Sequence, residues 1–183
     1  MLMEELFSSG VMTMGPSRTD PSRQVGVFSP EILASLPGIR AAEMEKIRWM
    51  CGEWQHENHV PATRCSPAYT DAGVSRFGLN ERADWLCIIG PDGKETPNIT
   101  FDPLSRQWIY VLMRGAYGIL RSADGWQANQ LSITGEMTML GPTRLWRLTL
   151  TRENDDSFSL VNEERTPDGE WAYIDRWEFR RKR

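Results

Sequence analysis

The sequence has little of what marks a secreted, membrane-embedded or nucleic-acid-binding protein. Its three cysteines, Cys51, Cys65 and Cys87, are odd in number and lie 14 and 22 residues apart. No Cys-x-x-Cys pair gathers zinc or a redox couple, so a disulfide framework is not expected. Each cysteine reads as a small buried hydrophobe, Cys51 standing apart because Gly52 follows it at a helix-to-strand junction. No apolar run approaches the roughly 20 residues that cross a bilayer, and mean hydropathy is −0.48. A spanning helix is excluded. With 21 basic against 25 acidic residues, the excess of Lys and Arg that phosphate binding needs is missing, which argues against nucleic acid. The one basic cluster, Arg180 to Arg183, reads as a solvated chain end. Two acids follow Met1-Leu2-Met3 where a secretory signal carries basic residues, so the chain reads as cytoplasmic with reduced thiols. Also missing are a Gly-rich phosphate loop, a Gly-x-Ser-x-Gly elbow, a His-Glu-x-x-His helix and EF-hand spacing. The carboxylates of Glu153-Asn154-Asp155-Asp156 are too close in sequence to wrap a calcium ion.

What is present is architecture. The 183 residues suit one domain, and the eight tryptophans need a thick core or a lined cavity to bury them. Residues 1 to about 28 carry scattered Gly, Pro, Ser and Met without a period of 2 or 3.6, as an arm or leader would. Ser29-Pro30-Glu31 opens a short helix that Pro37-Gly38 should end. A second helix is expected from Ala41 to Met50, with Met44, Ile47 and Met50 on one face. The division expected is an N-terminal arm with a short helix over 1–40 and a single barrel over 41–183.

From Glu53 the grammar changes to short Trp-, Tyr-, Ile-, Val- and Thr-rich segments between turn signals such as Pro91-Asp92-Gly93, Asp124-Gly125, Gly141-Pro142 and Pro167-Asp168-Gly169. Strands are expected near 53–60, 68–79, 83–90, 94–101, 106–114, 117–123, 126–135, 143–152, 156–166 and 170–181. No helix-length connection separates them, which excludes parallel βαβ units, and a long meander removes its exposed edges by closing. The fold class is therefore mainly β, an antiparallel up-and-down barrel of eight to ten strands with one or two short N-terminal helices. Self-similar blocks of about 40 residues, the mark of a propeller, are lacking. In the last strand Trp171, Tyr173, Trp177 and Phe179 share a face that Asp175 interrupts.

The opening Met44-x-x-Ile47-x-Trp49-Met50-Cys51-Gly52-Glu53-Trp54 resembles the helix-then-Gly-x-Trp entry into the first strand of calycin barrels. Further fragments in order, Thr100-Phe101-Asp102-Pro103, Arg144 through Thr151, Asp156-Ser157-Phe158 and Asp168-Gly169, extend a resemblance to a bacterial lipocalin-like family of unknown function over residues 44 to 180. The resemblance implies a barrel with an internal cavity and assigns no activity. The residues alone support the same entry: glycine takes the backbone angles of a sharp helix-to-strand turn, and an indole two residues on can plug the closed end.

A barrel interior lined by Trp108, Tyr110, Trp126, Trp146 and Tyr173, with Arg147 and Arg176 as guanidinium forks, would hold a small apolar or amphipathic molecule. The competing reading of the arginines is a ladder of cross-strand ion pairs on the outer face. A second functional reading is a lyase or isomerase using Tyr110, Tyr117 and Tyr173 with Glu163. A third is a filled barrel whose N-terminal arm docks a partner or a second copy as a homodimer. No cofactor is expected. His56 and His59 are three apart in a strand and cannot jointly grip a metal. A haem-binding barrel of the nitrobindin kind needs an axial ligand, and the later strands hold no histidine; only Met113, Met137, Met139 or one of the two histidines would remain for the task.

Overall fold

The computed structural model describes residues 28–183 apart from 65, 114, 123 and 140. The expected leader before residue 28, the homodimer contact assigned to it and Cys65 lie outside the described residues. Residues 36–183 form one compact unit, and no helix among the described residues is long and apolar enough to cross a membrane.

Helix α1 runs Pro30–Glu45. The Ile32 amide donates to the Ser29 hydroxyl at 3.4 Å, and Pro30 takes the first helical position, where no N–H is required. The stop expected at Pro37-Gly38 does not occur, and one helix replaces the predicted two. An internal proline removes a single i→i−4 bond, and the turns beyond it are held from outside the helix. Ile39 and Met44 pack into the core, and Arg40 Nε donates to the Phe101 carbonyl at 3.0 Å. After Glu45 the chain tightens through i→i−3 bonds, Lys46 to Glu43 and Ile47 to Met44, into a 3-10 turn at Arg48–Met50. Gly52 then enters the first strand at φ 126°, where a Cβ would also sit 3.1 Å from Arg181 Nη1. Glycine is required here on both counts.

Eleven strands follow: β1 Gly52–Val60, β2 Tyr69–Leu79, β3 Leu86–Ile89, β4 Glu95–Asp102, β5 Gln107–Met113, β6 Ala116–Ser122, β7 Trp126–Gln127, β8 Gln130–Met139, β9 Thr143–Asn154, β10 Ser157–Arg165 and β11 Trp171–Arg181. Ten of them close an antiparallel barrel. Neighbours are successive in sequence except at two places, where β1 pairs with β11 and β6 pairs with β8. At the second, Gly118 and Gly135 let the backbones approach; a Cβ on Gly118 would lie 2.5 Å from the Glu136 carbonyl oxygen, and one on Gly135 2.5 Å from that of Ile119. The segment expected as one strand over 126–135 is instead a hairpin, β7 folding onto β8 with Gln127 opposite Gln130. Its turn, Ala128-Asn129, places Ala128 at φ 53° and is tied to β9 by Asn129 Nδ2 donating to the Arg152 carbonyl at 3.0 Å.

The barrel has two unlike halves. At the end carrying the 3-10 turn, Trp54 is fully buried and donates its Nε1 to the Met50 carbonyl at 2.7 Å. Phe158 meets it edge-on at 4.8 Å and stacks on Phe179 at 4.2 Å. Trp49 bridges Trp54, Phe158 and Trp126, and Trp126 meets Trp108 at 6.5 Å. Such pairs contribute about 0.5–1.5 kcal/mol each beyond the area they bury. This lower half is an aromatic plug. Toward the other end, which carries the 61–68, 90–94 and 166–170 connections, inward positions become mixed in polarity.

Candidate functional site

The polar tier is assembled around Asp175. Because side chains alternate along a strand, Trp177 and Phe179 share its face, and these pair with Asn58 and His56 on β1. At Ile174 the β10–β11 register slips by one residue: Asn162 lies opposite Asp175, but Glu163 lies opposite Tyr173. This bulge turns Ile174 into the core and sends Tyr173 and Trp171 to the outer face, so the expected four-aromatic stripe is halved. Asn162 Nδ2 donates to Asp175 Oδ1 at 2.7 Å. Burial pushes the Asp175 carboxyl above the ordinary carboxylate range, and hydrogen bonds from Asn162, Trp177 and Asn58 oppose that rise. Tyr110, on β5, is raised by burial; an Asn98 hydrogen bond works against this, and the charge of Asp175 adds to it. Tyr110 and Asp175 thus share one interior. Asn98 itself is buried and donates to the Val111 carbonyl at 3.1 Å.

Several interior polar atoms have no protein partner among the described residues: Asn58 Oδ1 and the indole nitrogens of Trp108, Trp126 and Trp146. Asn58 is 7% and Trp146 5% exposed. A buried polar group left unmatched costs about 1–3 kcal/mol, so four of them in one barrel call for an explanation.

The residues singled out in the sequence divide between the two faces. Trp108, Tyr110 and Trp146 face the interior. Trp126 stands on β7 against Trp49 and Trp108. Arg147, between the buried Trp146 and Leu148, points outward and forms a bidentate pair with Glu163 at 2.7 and 2.8 Å, while its guanidinium lies 4.4 Å from the Trp171 ring. Glu163 accordingly raises the Arg147 pKa. Arg176 also lies on the outer face, paired with Glu178 at 3.0 Å and Glu153 at 3.7 Å. Neither arginine reaches the interior, because each follows the alternation of its strand; both join cross-strand ion pairs. Tyr173 is 48% exposed and borders a surface hollow of about 430 Å³ with His59 and Tyr69. Tyr117 is exposed as well, so Tyr110, Tyr117, Tyr173 and Glu163 do not converge.

His56 faces inward and His59 outward. His56 Nδ1 lies 2.9 Å from Ser75 Oγ, its ring meets Trp177 at 5.2 Å, and its Nε2 stands over Gly73, 3.1 Å from where a Cβ would be. His56 is half-buried and borders, with Gly73, a surface hollow of about 370 Å³. Met113 is exposed at the strand end. Cys87 is buried, and burial pushes its thiol up. Cys51 is half-buried.

Asn58, Asn98 and Asn162 were not legible as site residues, because asparagine in a strand carries no motif. The one available signal was Asp175 breaking an aromatic face. No protein-family model matches the sequence, and no curated protein matches it.

Proposed function

We propose that this chain is a binding barrel that holds a small amphipathic molecule, its apolar body on the aromatic lower half and its polar group among Asp175, Asn58 and Tyr110. The observation that carries the reading is the set of unmatched interior polar atoms, led by Asn58 Oδ1 and Trp146 Nε1. A dry, filled barrel would leave them at full desolvation cost, whereas a ligand with a few placed polar groups matches them. The ten-stranded closure and the Gly52-x-Trp54 entry support placing the chain beside the lipocalin-like calycin barrels, whose resemblance implies a cavity. Transfer chemistry has less support: the hydrogen-bond partners of Asp175 are two amides and an indole, groups that orient a ligand but do not shuttle protons at neutral pH.

Native mass spectrometry of the purified protein, followed by tryptophan quenching with fatty acids, aromatic acids and haem, tests this reading. A co-purified mass or saturable quenching by an amphipathic class is expected. No retained mass and no quenching by any class would overturn it.

A further inference from the structure

We infer that the polar group this barrel recognises is a cation, an ammonium carried on an apolar body, seated on Asp175 with Asn58 Oδ1 as its second acceptor. The inference deepens the binding reading and rests on it.

Charge placement is the first line of argument. On the inner face of the upper half, strand alternation and register bring together Asp71, opposite Asn58, Glu164, opposite Trp146 and Ala172, and Asp175. Against these three acids the described inner face of the upper half sets one arginine, Arg144, opposite Met137; Arg181, opposite Trp54, lies in the lower half. The other nearby bases are spent outside: Arg147 on Glu163 and Arg176 on Glu178 and Glu153. Asp71 is exposed, and Glu164 and Asp175 are half-buried; a surface of one sign concentrates ligands of the other.

The groups packed against Asp175 give the second. From β10 it meets Asn162, from β1 Asn58, from its own strand Trp177, and across the interior Tyr110. His56, the nearest inward histidine, is engaged with Ser75. All three hydrogen-bond donors to the carboxylate are neutral, so its charge has no cationic partner among them. Asn58, whose amide serves Asp175, leaves its own Oδ1 unmatched and more than nine-tenths buried. A carboxylate without a counter-charge beside an unmatched carbonyl is a pair of acceptors short of donors, and an ammonium supplies three N–H groups and the missing charge. Indole and phenol faces around the site add cation–π attraction.

The test uses the full chain and three probes of equal length, decylamine, decanol and decanoate, titrated at pH 7.5 with tryptophan fluorescence and calorimetry. Decylamine is expected to bind at least tenfold more tightly than decanol, and decanoate more weakly than either. In Asp175→Asn, with near-UV circular dichroism confirming the fold, the preference for the amine over the alcohol should shrink to less than threefold. Tightest binding of decanol or decanoate by the wild-type protein would overturn the cation assignment and leave the binding reading standing. Failure of all three probes together with the ligand panel above would remove both. An unchanged amine preference in Asp175→Asn would overturn the seat on Asp175.

Discussion

The guanidinium of Arg181 lies 4.2 Å from the ring centroid of Trp54, so the last strand caps the first indole of the barrel. The same group donates to the Cys51 carbonyl at 3.2 Å and to that of Trp49 at 2.7 Å, satisfying backbone acceptors where the 3-10 turn gives way to β1. One side chain thereby serves the aromatic plug, the turn and the β1–β11 seam. Arg181→Met should lower stability by roughly 2–4 kcal/mol, read as a fall in the urea midpoint. Arg181→Lys should recover only a minor part, since an ammonium cannot lie flat on the ring while reaching two carbonyls.

The closure between β6 and β8 depends on two residues having no side chain. Gly118→Ala and Gly135→Ala each drive a methyl into a carbonyl oxygen of the facing strand, at an expected cost of about 1–3 kcal/mol. Gly38→Ala is the contrast, because nothing lies within 4 Å of its Cβ position and alanine is favoured over glycine in a helix by about 1 kcal/mol. Urea unfolding should place the first two variants below wild type and the third above it.

Asp175 makes stability depend on pH in a definite direction. Its folded-state pKa is raised above the value of about 3.9 that an unfolded chain presents. The unfolded chain therefore gives up this proton first, and the group's contribution is lost as pH climbs from the unfolded value through the folded one, then levels off. Asp175→Asn carries no such proton. Its melting temperature should exceed that of wild type at pH 7.5, and the gap should close as pH falls below about 4.

The ion pair of Arg147 with Glu163 should behave as a surface feature. A double-mutant cycle with Arg147→Met and Glu163→Gln is expected to return a coupling of about 0.5–1 kcal/mol that shrinks in added salt. Neither change should alter the affinity for decylamine or decanol, which distinguishes these outer charges from Asp175.

The strands were legible because their turns are built on glycine. Gly93, Gly125, Gly141 and Gly169 all adopt positive φ, and each signals a reversal that the structure contains. Where other residues take that conformation the sequence is silent: Ala83 delays the start of β3, and Ala128 makes the hairpin that splits the expected seventh strand. Pro37 misleads in the opposite sense, since contacts made by Ile39, Arg40 and Met44 carry the helix past it. The interior was half legible. Trp108, Tyr110 and Trp146 follow simple alternation, whereas Tyr173 lies beyond a bulge that no period-2 pattern reveals. Asn58 and Asn162 matter only because Asp175 stands between them, and that juxtaposition joins residues more than a hundred positions apart in the chain.

The skipped residue at Ile174 also makes the barrel's contents sensitive to chain length. The stretch of β11 before it, Trp171 to Tyr173, pairs with β10 but has no register partner in β1, so it can slide without disturbing the seam that joins the chain's two ends. Deleting Ile174 would join Tyr173 directly to Asp175 and keep the present pairs, Tyr173 opposite Glu163 and Ala172 opposite Glu164, so Tyr173 stays outward and Ala172 inward while the core loses the Ile174 side chain. A single-codon deletion at this point would thus straighten β11 and remove one apolar side chain from above Asp175, while every other residue of the strand keeps its face.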